Sequence, residues 1–224
     1  KHDDGERGSD NKKHISIHGL ATVWVDSSNQ IEHPCFVVAP QCPEENRWVD
    51  TDWKQDKYRF DSTEISNELA TMIALIDFII SKYPINTQRI YVTGLSMGGY
   101  ASWYLLMNNP KKFAAAIIMS GSADPQMACK IKDIPIWDFH GDLDKAVPVE
   151  GSRNMMKAIS NCGEDVLLIS DPNNKSFWNL EDKVKRIISS KHVYTEYKGK
   201  GHVIWSESYN NWFVREWLFS KSKK

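Results

Sequence analysis

The most constraining feature of this 224-residue chain is the junction RIYVTGLSMGGYASW at 89–103. An apolar, β-branched run stops at Gly94, and residues compatible with a helix begin three positions later. A buried strand that turns directly into a helix needs small residues at the turn, because the helix must pack closely on the strand behind it. Gly94, Gly98 and Gly99 meet this need, so the junction predicts a tight strand–turn–helix with Ser96 at its apex.

Short apolar runs alternate with amphipathic segments along the rest of the chain. We predict strands at 35–40, 89–94, 113–121, 134–141 and 192–197, and helices at 61–83, 97–109, 150–161 and 208–219. The helix at 61–83 has Asp61 as a plausible N-cap and Glu64 three residues later, as in a capping box. Apolar strands separated by helices indicate an α/β fold with a mostly parallel sheet covered on both faces. Sites in such sheets form at the carboxyl ends of the strands.

Size and composition fit one domain over residues 1–224. Hydrophobic residues make up 41% of the chain and charged residues 25%, which are ordinary globular values. The net charge is −1 with both signs spread along the chain, which argues against a nucleic-acid surface. We find no apolar run long enough for a membrane span.

The four cysteines show no metal-binding or redox spacing. Cys35, Cys42, Cys129 and Cys162 form no CxxC pair, so a zinc site is disfavoured, and we expect neither a metal nor a cofactor. Free thiols and disulfides are equally reasonable, and three pairings are possible. The cysteines therefore do not decide the cellular location of the protein, and a secreted or periplasmic location is slightly favoured over a cytoplasmic one.

Ser96 lies in a Gly-x-Ser-x-Gly pattern whose setting resembles a nucleophile elbow. Such a turn lifts the serine Oγ clear of the sheet. The amide of Met97, at the start of the following helix, is then unpaired and can face an oxyanion. A serine hydroxyl needs a base and the base needs an orienting acid, in the chain order Ser, Asp or Glu, His.

Candidates for the acid and the base follow later strands. The segment FHGDLDKAVP (139–148) offers Asp142 and Asp144. We favour Asp144, which sits deeper in the loop, and expect Asp142 to brace the turn through backbone hydrogen bonds. Among seven histidines, His202 has the required position, in a glycine-flanked loop after the last predicted strand. His140, at the end of a strand, is interpreted as structural.

Four segments together resemble a known family: APQCPEENRW, YVTGLSMGGYASW, IPIWDFHGDLDKAVPVEGS and YTEYKGKGHVIW. They resemble the α/β-hydrolase esterases known as predicted peptidases or phospholipase/carboxylesterases, which are related to the feruloyl and acetyl-xylan esterases of carbohydrate esterase family 1. The resemblance covers about 1–162 and 192–220. It implies the α/β-hydrolase fold, a triad of Ser96, Asp144 and His202, and hydrolysis of small acyl or aromatic esters without a metal or cofactor.

The N-terminus departs from the family pattern. The family loop that supplies the second oxyanion amide corresponds to 2–11 here, which makes Asp4 the expected donor. The local pattern HISIHGLA (14–21) keeps Leu20 as an alternative. The central strand that precedes this loop in the family is missing. Either the chain is trimmed at its N-terminus, or another segment takes the position of this strand in the sheet.

The stretch 163–191 is longer than the family connection. We predict that it is an inserted loop or lid, with a short helix at 180–189; a surface insertion without function is the alternative. Trp178 in this stretch and Trp205 near His202 are candidates to stack on a substrate ring. Trp48 is a third loop tryptophan near the proposed site, and packing is the alternative for each.

These observations favour a serine carboxylesterase acting on small acyl or aromatic esters, including feruloyl or acetyl groups on plant polysaccharide. The expected partner is therefore a small-molecule or polysaccharide-linked ester, and the oligomeric state is open. Two rival hypotheses remain. One is a peptidase or lysophospholipase/thioesterase with the same triad; the other is an inactive hydrolase fold used for binding, which the altered N-terminal loop motivates.

Overall fold

A five-stranded parallel sheet carries the fold in the computed structural model, which describes residues 6–16, 21–170 and 181–223. The strands are β1 (Tyr91–Leu95), β2 (Ala115–Met119), β3 (Ile136–Gly141), β4 (Val166–Ile169) and β5 (His192–Tyr197). Their order is β1-β2-β3-β5-β4, and all four pairs are parallel. The carboxyl ends of β1, β3 and β5 therefore lie on the same edge of the sheet.

Helices cover both faces of this sheet. They are α1 (Lys13–Ser16), α2 (Thr22–Val25), α3 (Ser27–Glu32), α4 (Asn67–Lys82), α5 (Met97–Asn108), α6 (Ala128–Ile131), α7 (Glu150–Asn161), α8 (Glu181–Ser189), α9 (Trp205–Tyr209) and α10 (Trp212–Phe219). A 3₁₀ turn, Pro125–Met127, leads into α6. Among the described residues, no helix is long and apolar enough to cross a bilayer.

Alternate side chains of β2 pack into two separate hydrophobic cores, one on each face of the sheet. Ala116 and Ile118 join the cluster under α4, α5 and α7. Ile117 and Met119 join the cluster under α2, α8 and α10. Successive side chains of a strand point to opposite faces, so a strand this apolar must be buried on both. The predicted α/β class, with helices on both faces, is confirmed.

The strand predicted at 35–40 is not formed. This segment forms no ladder with another strand of the described residues, and Phe36 and Val38 are 61% and 45% exposed. A strand needs a neighbour for its backbone groups, and within the described residues side chains take some of those groups instead. Gln30 Nε2 donates to the Cys35 carbonyl at 3.1 Å, and His14 Nε2 contacts the Ala39 carbonyl at 2.7 Å. A cavity of about 710 Å³ lies between this segment and the β1–α4 layer.

Other boundaries also differ from the prediction; for example, the helix predicted at 208–219 begins at Trp212. Helix α4 starts at Asn67, later than predicted, because the Ser66 hydroxyl caps it by accepting from the Leu69 amide at 3.1 Å. Asp61 instead pairs with Arg59 at 2.6 Å. The stretch 163–191 contains the edge strand β4 and helix α8, so part of it belongs to the sheet; residues 171–180 lie outside the described residues.

A disulfide joins Cys129 of α6 to Cys162 at the end of α7, while Cys35 and Cys42 are free thiols. The bond closes a sequence separation of 33 residues. Chain-entropy arguments give such a cross-link a stabilisation of roughly 3–4 kcal/mol. It ties the C-terminal end of α7 to α6.

The β1–α5 junction has the predicted tight turn. Ser96 has φ 51° and ψ −118°. A positive φ of this kind costs a non-glycine residue of order 1–3 kcal/mol. The turn persists because strand and helix meet closely: a Cβ on Gly94 would lie 2.1 Å from the Gly98 carbonyl oxygen. Gly98 itself has open space around its would-be Cβ. The close approach therefore rests on Gly94 and not on Gly98.

We predict opposite outcomes for two alanine substitutions at this turn. Gly94→Ala forces α5 away from β1 and is expected to lower the free energy of unfolding by about 3 kcal/mol. Gly98→Ala, the matched control, adds a methyl into open space at a helical position and is expected to stay within about 1 kcal/mol of the parent. Urea unfolding of both variants checks this; equal losses would contradict it.

Candidate active site

Three predicted side chains converge at the carboxyl edge of the sheet. Ser96 directly follows β1, Asp144 lies three residues beyond β3, and His202 lies five residues beyond β5. His202 Nε2 is 2.9 Å from Ser96 Oγ, and His202 Nδ1 is 2.7 Å from Asp144 Oδ2. The parallel order of the strands brings these loops together from positions up to 106 residues apart.

The Asp144 carboxylate is fully buried and heavily hydrogen-bonded. Its Oδ1 accepts from the amides of Ala146 and Val147 at 2.8 and 3.0 Å. Its Oδ2 faces His202 and, at 3.2 Å, Nε2 of His140. Burial alone raises the pKa of Asp144, but hydrogen bonds from His140, His202 and the Val147 amide outweigh it and hold the pKa well below its usual range.

An Asp144 carboxylate that stays charged at neutral pH fixes the tautomer of His202. The carboxylate is an acceptor, so Nδ1 of the imidazole must carry the hydrogen. Nε2 is then a bare acceptor aimed at the Ser96 hydroxyl. This is the arrangement in which an imidazole can remove a proton from a serine as its oxygen attacks an electrophile.

Asp142 has a bracing contact. Its Oδ1 accepts from the Gly199 amide at 2.6 Å and so links the loop after β3 to the loop after β5. The two loops approach so closely that a Cβ on Gly141 would lie 2.2 Å from the Gly201 carbonyl oxygen. Asp142 therefore positions the backbone of the loop that carries His202 and does not contact the imidazole.

Trp205 lies behind His202. Its ring meets the imidazole edge-to-face, with centroids 5.1 Å apart, and the residue is 1% exposed. A side chain this buried supports the imidazole from the protein side, which favours the packing alternative for Trp205 over stacking on a substrate. Trp48, 8% exposed, is likewise a packing residue. Trp178 lies outside the described residues.

The amide of Met97 is available at the first turn of α5. Gly99 and Tyr100 donate to the Ser96 carbonyl at 2.8 and 3.1 Å, whereas the Met97 amide has no hydrogen-bond partner among the described residues. An unpaired amide at a helix N-terminus is a suitable oxyanion donor. The predicted second donor, Asp4, and its alternative, Leu20, both lie outside the described residues.

Sequence reasoning missed the link between His140 and Asp144, and a second contact near His202. His140 was interpreted as structural, yet its Nε2 contacts the candidate acid. The four-residue spacing in FHGDLD was the available signal. Ser120, at φ 47° after β2, places its hydroxyl 3.5 Å from the His202 carbonyl. No sequence pattern pointed to Ser120.

A separate group of possible metal ligands lies on the helical layer. Glu32, His33 and Glu216 place ligand atoms within 4.8 Å of one another. His33 Nε2 already contacts Glu216 at 2.6 Å, and its ring stacks on Phe219. A hydrogen bond between His33 and Glu216 accounts for this contact, so we assign no metal to the group.

Comparison with known proteins places the chain in a family. Residues 18–181 match the model of the Phospholipase/Carboxylesterase family of α/β hydrolases. The chain belongs to this family. A solved thermostable esterase is 34% identical with a TM-score of 0.79, covering 98% of this chain and 53% of its own. A poly(3-hydroxyoctanoate) depolymerase from Pseudomonas fluorescens is 29% identical over 131 residues, 54% of this chain and 45% of the depolymerase.

These two relatives extend beyond the aligned region. The chain spans about half the length of both the thermostable esterase and the depolymerase. Esterase PE8, at 17% identity and a TM-score of 0.57, covers 94% of this chain and 86% of its own, and shares the fold. The α/β-hydrolase fold is thus supported both by the sheet and by solved relatives.

We predict that two aspartates in one loop differ sharply in their effect on ester hydrolysis. In Asp144→Asn, the amide nitrogen can donate towards His202 and favour the wrong tautomer, so kcat should fall by about 10³–10⁴-fold. Asp142→Asn, the matched control, retains an oxygen acceptor for the Gly199 amide and should stay within about threefold. Hydrolysis of p-nitrophenyl acetate by both folded variants checks this. A comparable loss in the two would reject Asp144 as the orienting acid.

Proposed function

We propose that this protein is a serine carboxylesterase that hydrolyses small acyl or aromatic esters through an acyl-enzyme. The observation that carries the proposal is the His202 imidazole, which lies within hydrogen-bond distance of both Ser96 Oγ and Asp144 Oδ2. Family membership and the esterase relatives support ester bonds as the target. The Cys129–Cys162 disulfide favours an oxidising location, because such bonds persist in secreted and periplasmic proteins.

The chemistry follows from the positions of the three side chains. Ser96 Oγ attacks the ester carbonyl while His202 Nε2 takes its proton, and the buried Asp144 carboxylate stabilises the resulting imidazolium. The Met97 amide donates to the developing oxyanion. The alcohol leaves with the proton from His202, and water, activated by the same imidazole, releases the acid and restores Ser96.

Ser96→Ala tests the nucleophile directly. Because the alanine has no oxygen to form the acyl-enzyme, kcat for p-nitrophenyl acetate should fall by about 10⁴-fold or more. A fluorophosphonate probe should phosphonylate the parent at Ser96, with loss of fluoride, and leave the variant unlabelled. Ser102→Ala is the control, since that buried hydroxyl on α5 bonds the Gly98 carbonyl and not His202.

Two results would reject this function. Near-normal turnover by Ser96→Ala would place the nucleophile elsewhere. A well-folded parent that neither reacts with the probe nor hydrolyses any ester would instead favour a hydrolase fold used for binding.

The substrate class has its own test. We propose acetyl or feruloyl groups, including those on plant polysaccharide, and the depolymerase relative motivates aliphatic polyesters as a second candidate. A panel of methyl ferulate, acetylated xylan, p-nitrophenyl octanoate, poly(3-hydroxyoctanoate) and a peptide anilide separates these. We expect the highest kcat/KM on short acyl or feruloyl esters and at least 100-fold less on the anilide. Dominant octanoate or anilide cleavage would reassign the enzyme as a lipolytic or polyester hydrolase, or as a peptidase.

A further inference from the structure

Two exposed apolar side chains lie directly beside members of the candidate triad. Leu143, 59% exposed, precedes Asp144, and Val203, 68% exposed, follows His202. The proposed mechanism uses neither of them. Single exposed apolar side chains are ordinary on a protein surface. The importance of these two therefore depends on how the backbone holds them and on which part of a substrate reaches them.

Backbone contacts hold the two loops side by side. The Leu143 amide donates to the Lys200 carbonyl at 2.9 Å. The Leu143 carbonyl oxygen lies 3.9 Å from the position that a Cβ would take on Gly201, two residues before Val203. Because these contacts are made by the backbone, a change of side chain at position 143 or 203 leaves them in place.

The triad meets solvent at His202. Its side chain is 15% exposed, whereas the Asp144 side chain is fully buried and Ser96 is 1% exposed. Trp205 covers the imidazole from the protein side. The ring belongs to the loop after β5 and bonds to Asp144 in the loop after β3. The open part of the ring therefore lies at the junction of these two loops.

The chemistry of acylation determines which part of an ester occupies this junction. The bond between the carbonyl carbon and the alcohol oxygen breaks, the acyl group stays on Ser96 Oγ, and the alcohol oxygen takes the proton from His202 Nε2. That oxygen must lie within hydrogen-bond reach of Nε2, about 2.6–3.2 Å away. The carbonyl oxygen points instead towards the Met97 amide. The carbon atoms of the alcohol therefore extend from the imidazole into the junction.

We propose that Leu143 and Val203 form the surface that binds the leaving alcohol, and that this surface selects esters of alkyl or aryl alcohols. An alkyl or aryl group that covers the two side chains removes apolar area from water. The hydroxyls of a sugar would lose water partners against the same surface and gain none. This inference rests on the proposed function and narrows it on the alcohol side of the ester.

The test uses two series of esters that separate the alcohol from the acyl group. Ethyl, butyl and hexyl acetate vary the alcohol, while ethyl acetate, butanoate and hexanoate vary the acyl group. The alcohols of the first series have nearly equal acidity, so differences in rate report contacts. In the parent, kcat/KM should rise along the alcohol series by about twofold per methylene, which corresponds to half of the transfer free energy of a buried methylene.

Three variants locate the effect. The double variant Leu143→Ser, Val203→Ser should reduce the rise from ethyl to hexyl acetate to less than about threefold, and its acyl series should keep the slope of the parent. Leu143→Met with Val203→Ile preserves the apolar surface and should keep the rise. Leu168→Ser is the matched control, because Leu168 is 67% exposed on the edge strand β4. Labelling of Ser96 by the fluorophosphonate probe verifies an intact triad in each variant.

Acyl transfer measures the same surface in the reverse direction. The acetyl-enzyme formed from p-nitrophenyl acetate reacts with water or with an added alcohol. In the second case the alcohol oxygen attacks the acyl carbon, its proton passes to His202, and Ser96 leaves. With ethanol and 1-hexanol at equal concentration, the parent should form at least about fivefold more hexyl acetate than ethyl acetate. The double serine variant should form them in nearly equal amounts.

The possible failures can be told apart. If the parent hydrolyses esters but its alcohol series is flat, or if the double serine variant keeps the full rise, this inference fails alone. It also fails if both series flatten together in that variant, because the two residues would then not be specific to the alcohol. A well-folded parent that hydrolyses no ester would overturn the proposed function and this inference together.

Discussion

The hydrogen bond between Asp144 and Nδ1 of His202, 2.7 Å long, is the contact on which the rest of the site depends. Without it, nothing fixes which nitrogen of the imidazole faces Ser96, and a serine hydroxyl by itself is a weak nucleophile. The protein supports this bond from behind. Two backbone amides and His140 satisfy the remaining capacity of the carboxylate, so Asp144 can be buried and charged without a cation beside it.

The sheet makes that bond possible because it brings together residues that are far apart in the sequence. Parallel strands place all their carboxyl ends on one edge, so loops far apart along the chain become neighbours. Glycines then allow these elements to approach closely. Gly94 leaves room for the start of α5, and Gly141 leaves room for the loop that holds His202. Asp142 secures the second approach with its bond to Gly199. The strained φ of Ser96 is one cost of this geometry, and the close packing around it maintains the conformation.

How much the sequence could predict depended on whether a feature was local. The strand–serine–helix junction and the five-residue run of β2 are set by short-range patterns, and both were predictable. Residues 35–40 have the composition of a strand, but strand formation depends on a partner that composition does not show. The Asp61 cap failed for a similar reason, because Arg59 competes for its carboxylate while Ser66 offers a cap nearer the apolar stripe.

Side-chain roles across elements were the hardest to predict. Trp205 and Trp178 looked equivalent as loop tryptophans, yet Trp205 is buried against the imidazole, a property that depends on how the loop folds back. His140 reads as part of an ordinary buried strand, and its contact with Asp144 depends on how the loop after β3 folds. Polar groups in a dry interior interact strongly and cannot ionise cheaply. In this fold His140 and two backbone amides surround the candidate acid, so the buried layer behind the site takes part in holding its hydrogen-bond pattern.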